Sequence, residues 1–312
     1  MARWRSGYAE VCKTLKTGST PVRASNFFMS DILITSRPIT PESDAYILLQ
    51  QNNEYEKFLL KKDEPFHIEL LNKEEKFCTG WYDIKTSTNY PCETHQLVQE
   101  RYSDCYICRA KTGFNPAFYN TAEISATQEE FNKQPHSVYI AYFGDDVFKA
   151  GITATKRGLK RLYEQGALFH AIVANVPNAN EARKLEARLI RNGLKESVLK
   201  STKSGILKHS INKEKERAKF QEFVKTTDYP EAEIKSDIDL YFFDSYKEEP
   251  IKPFSDETTR SGIIKGIVGR YLILENNERL YGLWLSDYFG KKVTINDKIT
   301  ELERDLQQVS LF

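Results

Sequence analysis

Between Asn26 and Cys78 the apolar residues come in short runs, Phe28 to Ile34, Tyr46 to Leu49, Phe58 to Leu60 and His67 to Leu71, broken at Pro41, Gln50 to Asn53 and Pro65. Such runs and breaks predict the strands of a small sheet. The sharpest patterning lies from Ser137 to Asn192. Val138 to Phe143 and Val147 to Ile152 flank Gly144-Asp145-Asp146, the pattern of a hairpin. After Thr153 the period lengthens: Leu159, Leu162 and Tyr163 recur at helical spacing, and Gly166 is placed to end the helix. Leu168 to Val176, rich in β-branched and aromatic residues and closed by Pro177, predicts a third strand. Asn178 with Glu181 three places on has the form of a capping box, so a helix follows with Ala182, Leu185, Leu189 and Ile190 facing inward and Gly193 past its end. The order is strand, strand, helix, strand, helix.

From Leu194 to Lys225 lysines accumulate, with Glu214 and Glu216 interleaved among the later ones, which reads as an exposed helix. A nucleic-acid track is the alternative use of these cations, although the acidic stretch from Glu231 to Asp239 interrupts it. From Gly262 the pattern is β again: Ile263 to Glu275, a turn at Asn276-Asn277, Leu280 to Leu285 and Val293 to Ile295. Gly266, Gly269 and Gly282 allow strong bending, so a small barrel of SH3-like or OB-like type is expected, with a short helix between Ile299 and Leu311.

At 312 residues the chain has room for two or three domains, and 40% hydrophobic with 12% aromatic residues is the composition of a folded protein. The formal net charge of +1 excludes bulk attraction to nucleic acid, so any such binding must use local clusters. Residues 1–24, with Arg3, Arg5, Lys13, Lys16 and Arg23, are a solvated terminus or a phosphate-contacting arm. No apolar run approaches the ~20 residues that span a bilayer. The polar start from Met1 to Lys16 lacks a signal-peptide core, so a cytoplasmic location without membrane association is expected.

Cysteine usage is more informative than charge. Of five cysteines, Cys78, Cys92, Cys105 and Cys108 fall within one short segment, and Cys12 stands apart. An odd number and the absence of an export signal argue against a disulfide framework. The Cys105-x-x-Cys108 pair can place two thiolates on one turn toward a tetrahedral Zn²⁺, and Cys78 and Cys92 can complete it. Four thiolates leave no open position, which marks such a site as structural. His95, three residues after Cys92, is the rival ligand, and four buried free thiols are the bland alternative.

The hairpin, helix, strand and helix resemble the GIY-YIG nuclease domain. Ser137-Val138-Tyr139 stands where that family has its first motif and Lys149-Ala150-Gly151 where it has its second, with Lys149 in place of the motif tyrosine. Leu185 to Ile190 is similar to the last-helix segment of its excision-repair members. The resemblance implies that Glu186 takes the place of the family's metal-binding carboxylate, for Mg²⁺ or Mn²⁺, and that Arg157 or Arg161 takes the place of its catalytic arginine. It also implies that Tyr139 orients or deprotonates the attacking water, and a buried Lys149 could serve as a general base. The four-cysteine segment, the phrase Gly113-Phe114-Asn115-Pro116-Ala117-Phe118 and the Tyr139 to Ala167 block together resemble a family of prokaryotic proteins of unknown function.

The expected architecture is therefore α+β: a β-rich N-terminal region at 1–77, a four-cysteine zinc-binding module at 78–120, and a GIY-YIG-like ββαβα domain at 135–200. A charged helical connector at 201–255 and a small β-barrel-like module at 256–312 complete it. The expected function is a metal-dependent endonuclease acting on DNA or RNA. The alternative is a nucleic-acid-binding or anionic-ligand-binding protein of the same fold without turnover. Each site residue also has a plain structural use: Tyr139 as core, Arg157 and Arg161 as a solvated edge, Lys149 as a snorkelling side chain, and Glu186 as a partner of Arg183 or Arg191.

Overall fold

The computed structural model describes residues 31–37, 44–51, 54–83, 85–86, 88–112, 125–227, 240–242, 249–254 and 259–299. The basic N-terminal segment, the Gly113 to Tyr119 phrase, the Glu231 to Asp239 stretch and the expected C-terminal helix beyond Ile299 lie outside these residues.

Four strands open the described chain: β1 (Asp31–Arg37), β2 (Ala45–Gln51), β3 (Glu54–Leu60) and β4 (Pro65–Leu70). A short pair, β5 (Trp81–Asp83) and β6 (Thr88–Tyr90), and the helices α1 (Tyr106–Thr112) and α2 (Ala126–Asn132) follow. The central unit comprises β7 (His136–Tyr142), β8 (Phe148–Ala154), a 3₁₀ turn at Thr155–Arg157, α3 (Lys160–Gln165), β9 (Phe169–Val176) and α4 (Ala179–Arg191). After it come α5 (Lys200–Leu207), α6 (Lys213–Thr226), β10 (Leu240–Phe242), β11 (Lys252–Pro253), β12 (Thr259–Val268), β13 (Tyr271–Asn276), β14 (Arg279–Trp284) and β15 (Lys292–Asn296).

The central unit follows the expected order closely. Asn178 caps α4 by accepting the Glu181 N–H at 3.0 Å, and Ala182, Leu185 and Leu189 are buried. Gly166 ends α3 in the left-handed conformation at φ 63°. β7 is buried along its whole length, as a central strand covered on both faces must be, between β8 and β9 in the order β10-β9-β7-β8. Alternation along the strands separates two faces. On one, Tyr142, Phe148 and Phe169 meet Phe220 and Phe223 of α6, with Phe148 and Phe223 stacked at 3.8 Å. The exposed helix expected here does have an apolar edge as well, for Phe220 and Val224 of α6 are buried. Tyr139, Lys149, Gly151 and His170 share the other face, since Tyr139 pairs with Gly151 and Ala141 with both Lys149 and His170.

Among the described residues, the strands on either side of the cysteine module and central unit form one sheet and no closed barrel. Its order is β11-β14-β13-β12-β4-β15-β1-β2-β3, with β4 between β12 and β15. The C-terminal strands use their hydrogen-bonding edges on β4, with Thr259 opposite Glu69 and Thr294 opposite the same residue on the other side. Leu33, Ile47, Phe66 and Ile68 accordingly share a core with Leu272, Leu274, Val293 and Ile295. The apolar run from Ile263 to Glu275 is two strands, because Gly269, at φ 63°, turns the chain between β12 and β13. The expected charged connector also supplies β10, which pairs with β9.

Gly166 and Gly269 join the two sheets. A Cβ on Gly269 would lie 2.9 Å from the Gly166 Cα, and one on Gly166 would lie 2.9 Å from the Val268 carbonyl oxygen. Val268, Tyr271 and Ile273 extend the core of the central unit past this contact. Gly269→Ala is expected to cost roughly 1–2 kcal/mol for its left-handed backbone, plus roughly 1–3 kcal/mol for the clash with the opposing backbone. Denaturant unfolding of the variant measures the loss, and a loss no larger than the left-handed backbone part would mean that the contact with the opposing backbone contributes nothing.

Candidate functional site

Two groups of side chains have a chemistry beyond packing. The first is the cysteine cluster. The sulfurs of Cys78, Cys92, Cys105 and Cys108 all lie within 4.8 Å of one another, and the four residues are buried. A tetrahedral zinc with 2.3 Å bonds has sulfur–sulfur edges of about 3.8 Å, so a small contraction closes the shell. The Cys105 N–H donates to the Cys78 sulfur at 3.1 Å and the Gly80 N–H at 3.4 Å, the kind of support a thiolate ligand needs. Among the described residues only Trp81 and Val98 add apolar packing, too little for a conventional core. Four buried thiols in this arrangement can hold a metal such as zinc. His95 is outside the cluster, with its Nδ1 3.4 Å from the Gln50 amide nitrogen.

The module is anchored to the large sheet by polar contacts as well as packing. Lys291, itself buried, donates to the Lys73 carbonyl at 2.8 Å and pairs with Glu100 at 2.8 Å. The Phe77 N–H donates to the Gly290 carbonyl at 2.7 Å, and the Tyr55 hydroxyl of β3 donates to the Thr79 carbonyl at 3.2 Å.

The second group lies on the Tyr139 face of the central sheet. Tyr139 is 1% exposed, and its ring covers Gly151, where a Cβ would meet the phenol oxygen at 2.4 Å. Glycine is thus required opposite this tyrosine by space. Burial raises the pKa of the phenol, Arg161 close to it works in the opposite sense, and the charges of Glu186 and Arg157 also reach it. Lys149 lies with its Nζ 5.8 Å from the Tyr139 ring centre and donates to the Ala150 carbonyl at 2.8 Å. Burial lowers the pKa of Lys149, and Glu186 opposes that shift. Burial raises the pKa of Glu186 in turn, against Lys149 and Arg183, while Glu196 adds to the rise. Arg183 is itself pushed down to about 10 by burial, which leaves it charged at neutral pH.

Of the expected site residues, Tyr139, Lys149, Arg161 and Glu186 are therefore electrostatic neighbours on one face. Arg157 is engaged differently. From the 3₁₀ turn its Nη2 lies 2.5 Å from Glu164 Oε2, and Arg161 Nη1 lies 3.4 Å from the same oxygen. Glu164, whose side chain is 6% exposed, was not singled out by the sequence, although its place three residues after Arg161 on a helix is a usable signal. Glu196 and Arg270 were missed as well, and Lys203 was read only as one of the lysines of a solvated face or a nucleic-acid track. Lys203 donates to the Gln165 carbonyl at 2.7 Å and lies 4.6 Å from the Phe143 ring centre. Its pKa is pushed down to about 8 by burial, with Lys149, Arg161 and Arg270 adding to the effect.

Residues 68–281 match the family described as "Protein of unknown function (DUF2797)". The chain belongs to that family. The matched stretch takes in the cysteine cluster, the whole central unit and the strands β12 and β13, so the family is defined across both sheets. No curated protein and no solved structure matches the chain. Among the described residues no helix is long and apolar enough to cross a membrane.

If the thiolates hold zinc, the purified protein should carry about one equivalent of it by elemental analysis. Cys105→Ser should abolish that content and lower the thermal midpoint, because the metal ties together segments far apart in the chain. Full zinc occupancy in the variant would exclude Cys105 as a ligand.

Proposed function

We propose that this protein is a metal-dependent phosphodiesterase of the GIY-YIG type, an endonuclease acting on DNA or RNA, with the four-cysteine module as a structural support. The observation that carries this reading is the gathering of Tyr139, Lys149, Arg161 and Glu186 on one face of the central sheet. Arg161, whose ion pair to Glu164 is the longer of the two at 3.4 Å, is our choice to meet a scissile phosphate, since Arg157 is tied more closely to the same carboxylate. A guanidinium suits that task through its planar fork of donors.

Burial keeps the Tyr139 phenol protonated at neutral pH, so its role is to orient a water by hydrogen bonding and not to deprotonate it. Lys149, moved toward its neutral form by burial, is the nearer candidate for a base. Glu186, with Glu196 as the second carboxylate whose charge reaches it, would hold a Mg²⁺ or Mn²⁺. Such an ion would relieve the burial and like-charge stress on Glu186, and when bound it stabilises the developing charge on the phosphate. The second reading, binding without turnover, draws on Lys149 in the place of the motif tyrosine and keeps Arg161 as the anion contact.

A nicking assay on supercoiled plasmid and on single-stranded oligonucleotides separates the two. Wild-type protein with Mg²⁺ or Mn²⁺ should cleave at least one substrate. Glu186→Gln and Arg161→Ala should each slow cleavage by about 10²–10³-fold, the usual loss of an electrostatic contact to the transition state, and Arg157→Ala by much less. Omission of the divalent ion is the proper control, since a chelator would also strip the thiolate cluster. Binding with no cleavage under any metal would leave the second reading standing and remove the first.

A further inference from the structure

Lys203 of α5 lines a cavity of about 450 Å³ where the central unit, the large sheet and the cysteine module meet. That size falls in the roughly 300–1,000 Å³ range of small-ligand sites. Val198, Trp284 and Phe289 line it together with Ser103 and Ser286, so both apolar and hydrogen-bonding residues border the space. Neither the hydrolytic reading nor the family assignment uses it.

The surroundings of the Lys203 amine are unusual for a lysine. Its Nζ donates to the Gln165 carbonyl at 2.7 Å and lies 4.6 Å from the Phe143 ring centre. The carboxylates nearby are engaged by other cations: Glu164 by Arg157 and Arg161, Asp287 by Lys200, and Glu100 by Lys76 and Lys291. The charges that act on Lys203 are positive, from Lys149 on β8, Arg161 on α3 and Arg270 in the β12–β13 turn. His170 of β9, which Lys203 in turn affects, is neutral.

Burial first, and these like charges after it, push the Lys203 pKa down to about 8. The Phe143 ring, which attracts the charged form, does not reverse that direction. Roughly a tenth of the amine is therefore neutral at pH 7, against less than about a thousandth for an ordinary exposed lysine. A neutral amine has two N–H groups and a lone pair. One N–H can stay on the Gln165 carbonyl while the lone pair remains available for bonding. A lysine desolvated beside other cationic groups is the kind that attacks carbonyl carbons.

We propose that Lys203 is a nucleophilic amine that captures a small aldehyde or ketone in this cavity as an imine. The nitrogen lone pair forms a bond to the carbonyl carbon, and the carbonyl oxygen takes up a proton lost from the nitrogen, which gives a carbinolamine. The carbinolamine then loses its hydroxyl together with the second nitrogen proton as water, and a C=N bond remains. Nothing is oxidised or reduced, and no co-reactant is required. The step uses neither Glu186 nor a divalent ion, so it is independent of hydrolysis.

The test treats the full-length protein with limiting propanal and cyanoborohydride, which reduces an imine to a stable amine, and maps the modified lysines by mass spectrometry of peptides. At pH 7 Lys203 should be labelled at least about tenfold faster than the exposed Lys62 and Lys208. The ratio should shrink between pH 8 and 10, as the exposed amines lose their protons in turn. Arg270→Gln removes one of the cations that act on Lys203 and should slow its labelling at pH 7 by about two-fold or more, with Lys62 and Lys208 unchanged. Labelling of Lys203 no faster than that of Lys208, a fast label on Lys149 in its place, or a Lys203 rate untouched by Arg270→Gln would overturn the proposal. The mapping is made on the wild-type chain, so its outcome does not depend on whether a variant folds.

Discussion

The pairing of β4 with β12 holds the molecule in its arrangement. Glu69 lies opposite Thr259, so the chain leaves the large sheet after β4 and returns beside the same strand almost two hundred residues later. Everything between, the cysteine module and the central unit alike, is an excursion from one closed base. Closing a loop of that length costs conformational entropy that grows only slowly with length, and the shared core around Phe66, Ile68, Leu272 and Leu274 supplies the compensation. The excursion is then pinned back at two places. Lys291 and Gly290 hold the cysteine module, and the Gly166–Gly269 contact holds the central unit. The cavity lies between those pins, which is why residues from three distant segments line it.

The second organising constraint is the cost of buried charge. Glu164 is nearly inaccessible yet takes two guanidinium groups, which is the arrangement a buried carboxylate requires. On the same side of the sheet His170 is fully buried and pushed down to about 3, so it is neutral, and Lys203 near it adds to that effect. Lys149, Lys203 and Arg183 are all shifted toward neutrality by burial. Stability alone would favour apolar residues at such positions. Groups with perturbed pKa values gathered on one face mark that face as the place to look for chemistry.

Local features were readable from the residues because their causes are local. The Asn178 cap, the left-handed Gly166, the Gly144-Asp145-Asp146 turn and the inward stripe of α4 each depend on side chains a few positions apart. The cysteine cluster was legible for a different reason, since thiolates close together in sequence and apart from a core stripe have few other uses. The single large sheet was not legible. Periodicity identifies a strand but not its neighbour, and β4 carries no mark that both of its edges belong to the far end of the chain. Gly269 was read as a bend and is a turn, because a glycine in an apolar run is compatible with either until the partner strand is known. The approach of Lys203 and Arg270 to Arg161 was invisible for the same reason, since it depends on the packing of α5 and the β12–β13 turn.

The pleat of the central sheet explains how one small unit can carry both a rigid core and a charged site. Residues of β7 to β9 that point one way, Tyr142, Phe148 and Phe169, meet the rings of α6 and fix the sheet. Those that point the other way, Tyr139, Lys149 and Gly151, meet Arg161 and the α4 carboxylate. A change on the charged face leaves the aromatic face in register, since the two are separated by the backbone itself. Lys149 thus bears on the chemistry of its face and not on the fold. It adds a cation where Glu186 and Glu196 already supply negative charge, and it adds to the electrostatic stress on Lys203 next to the cavity. That single position thus carries electrostatic influence from the Glu186 face across to Lys203 on α5.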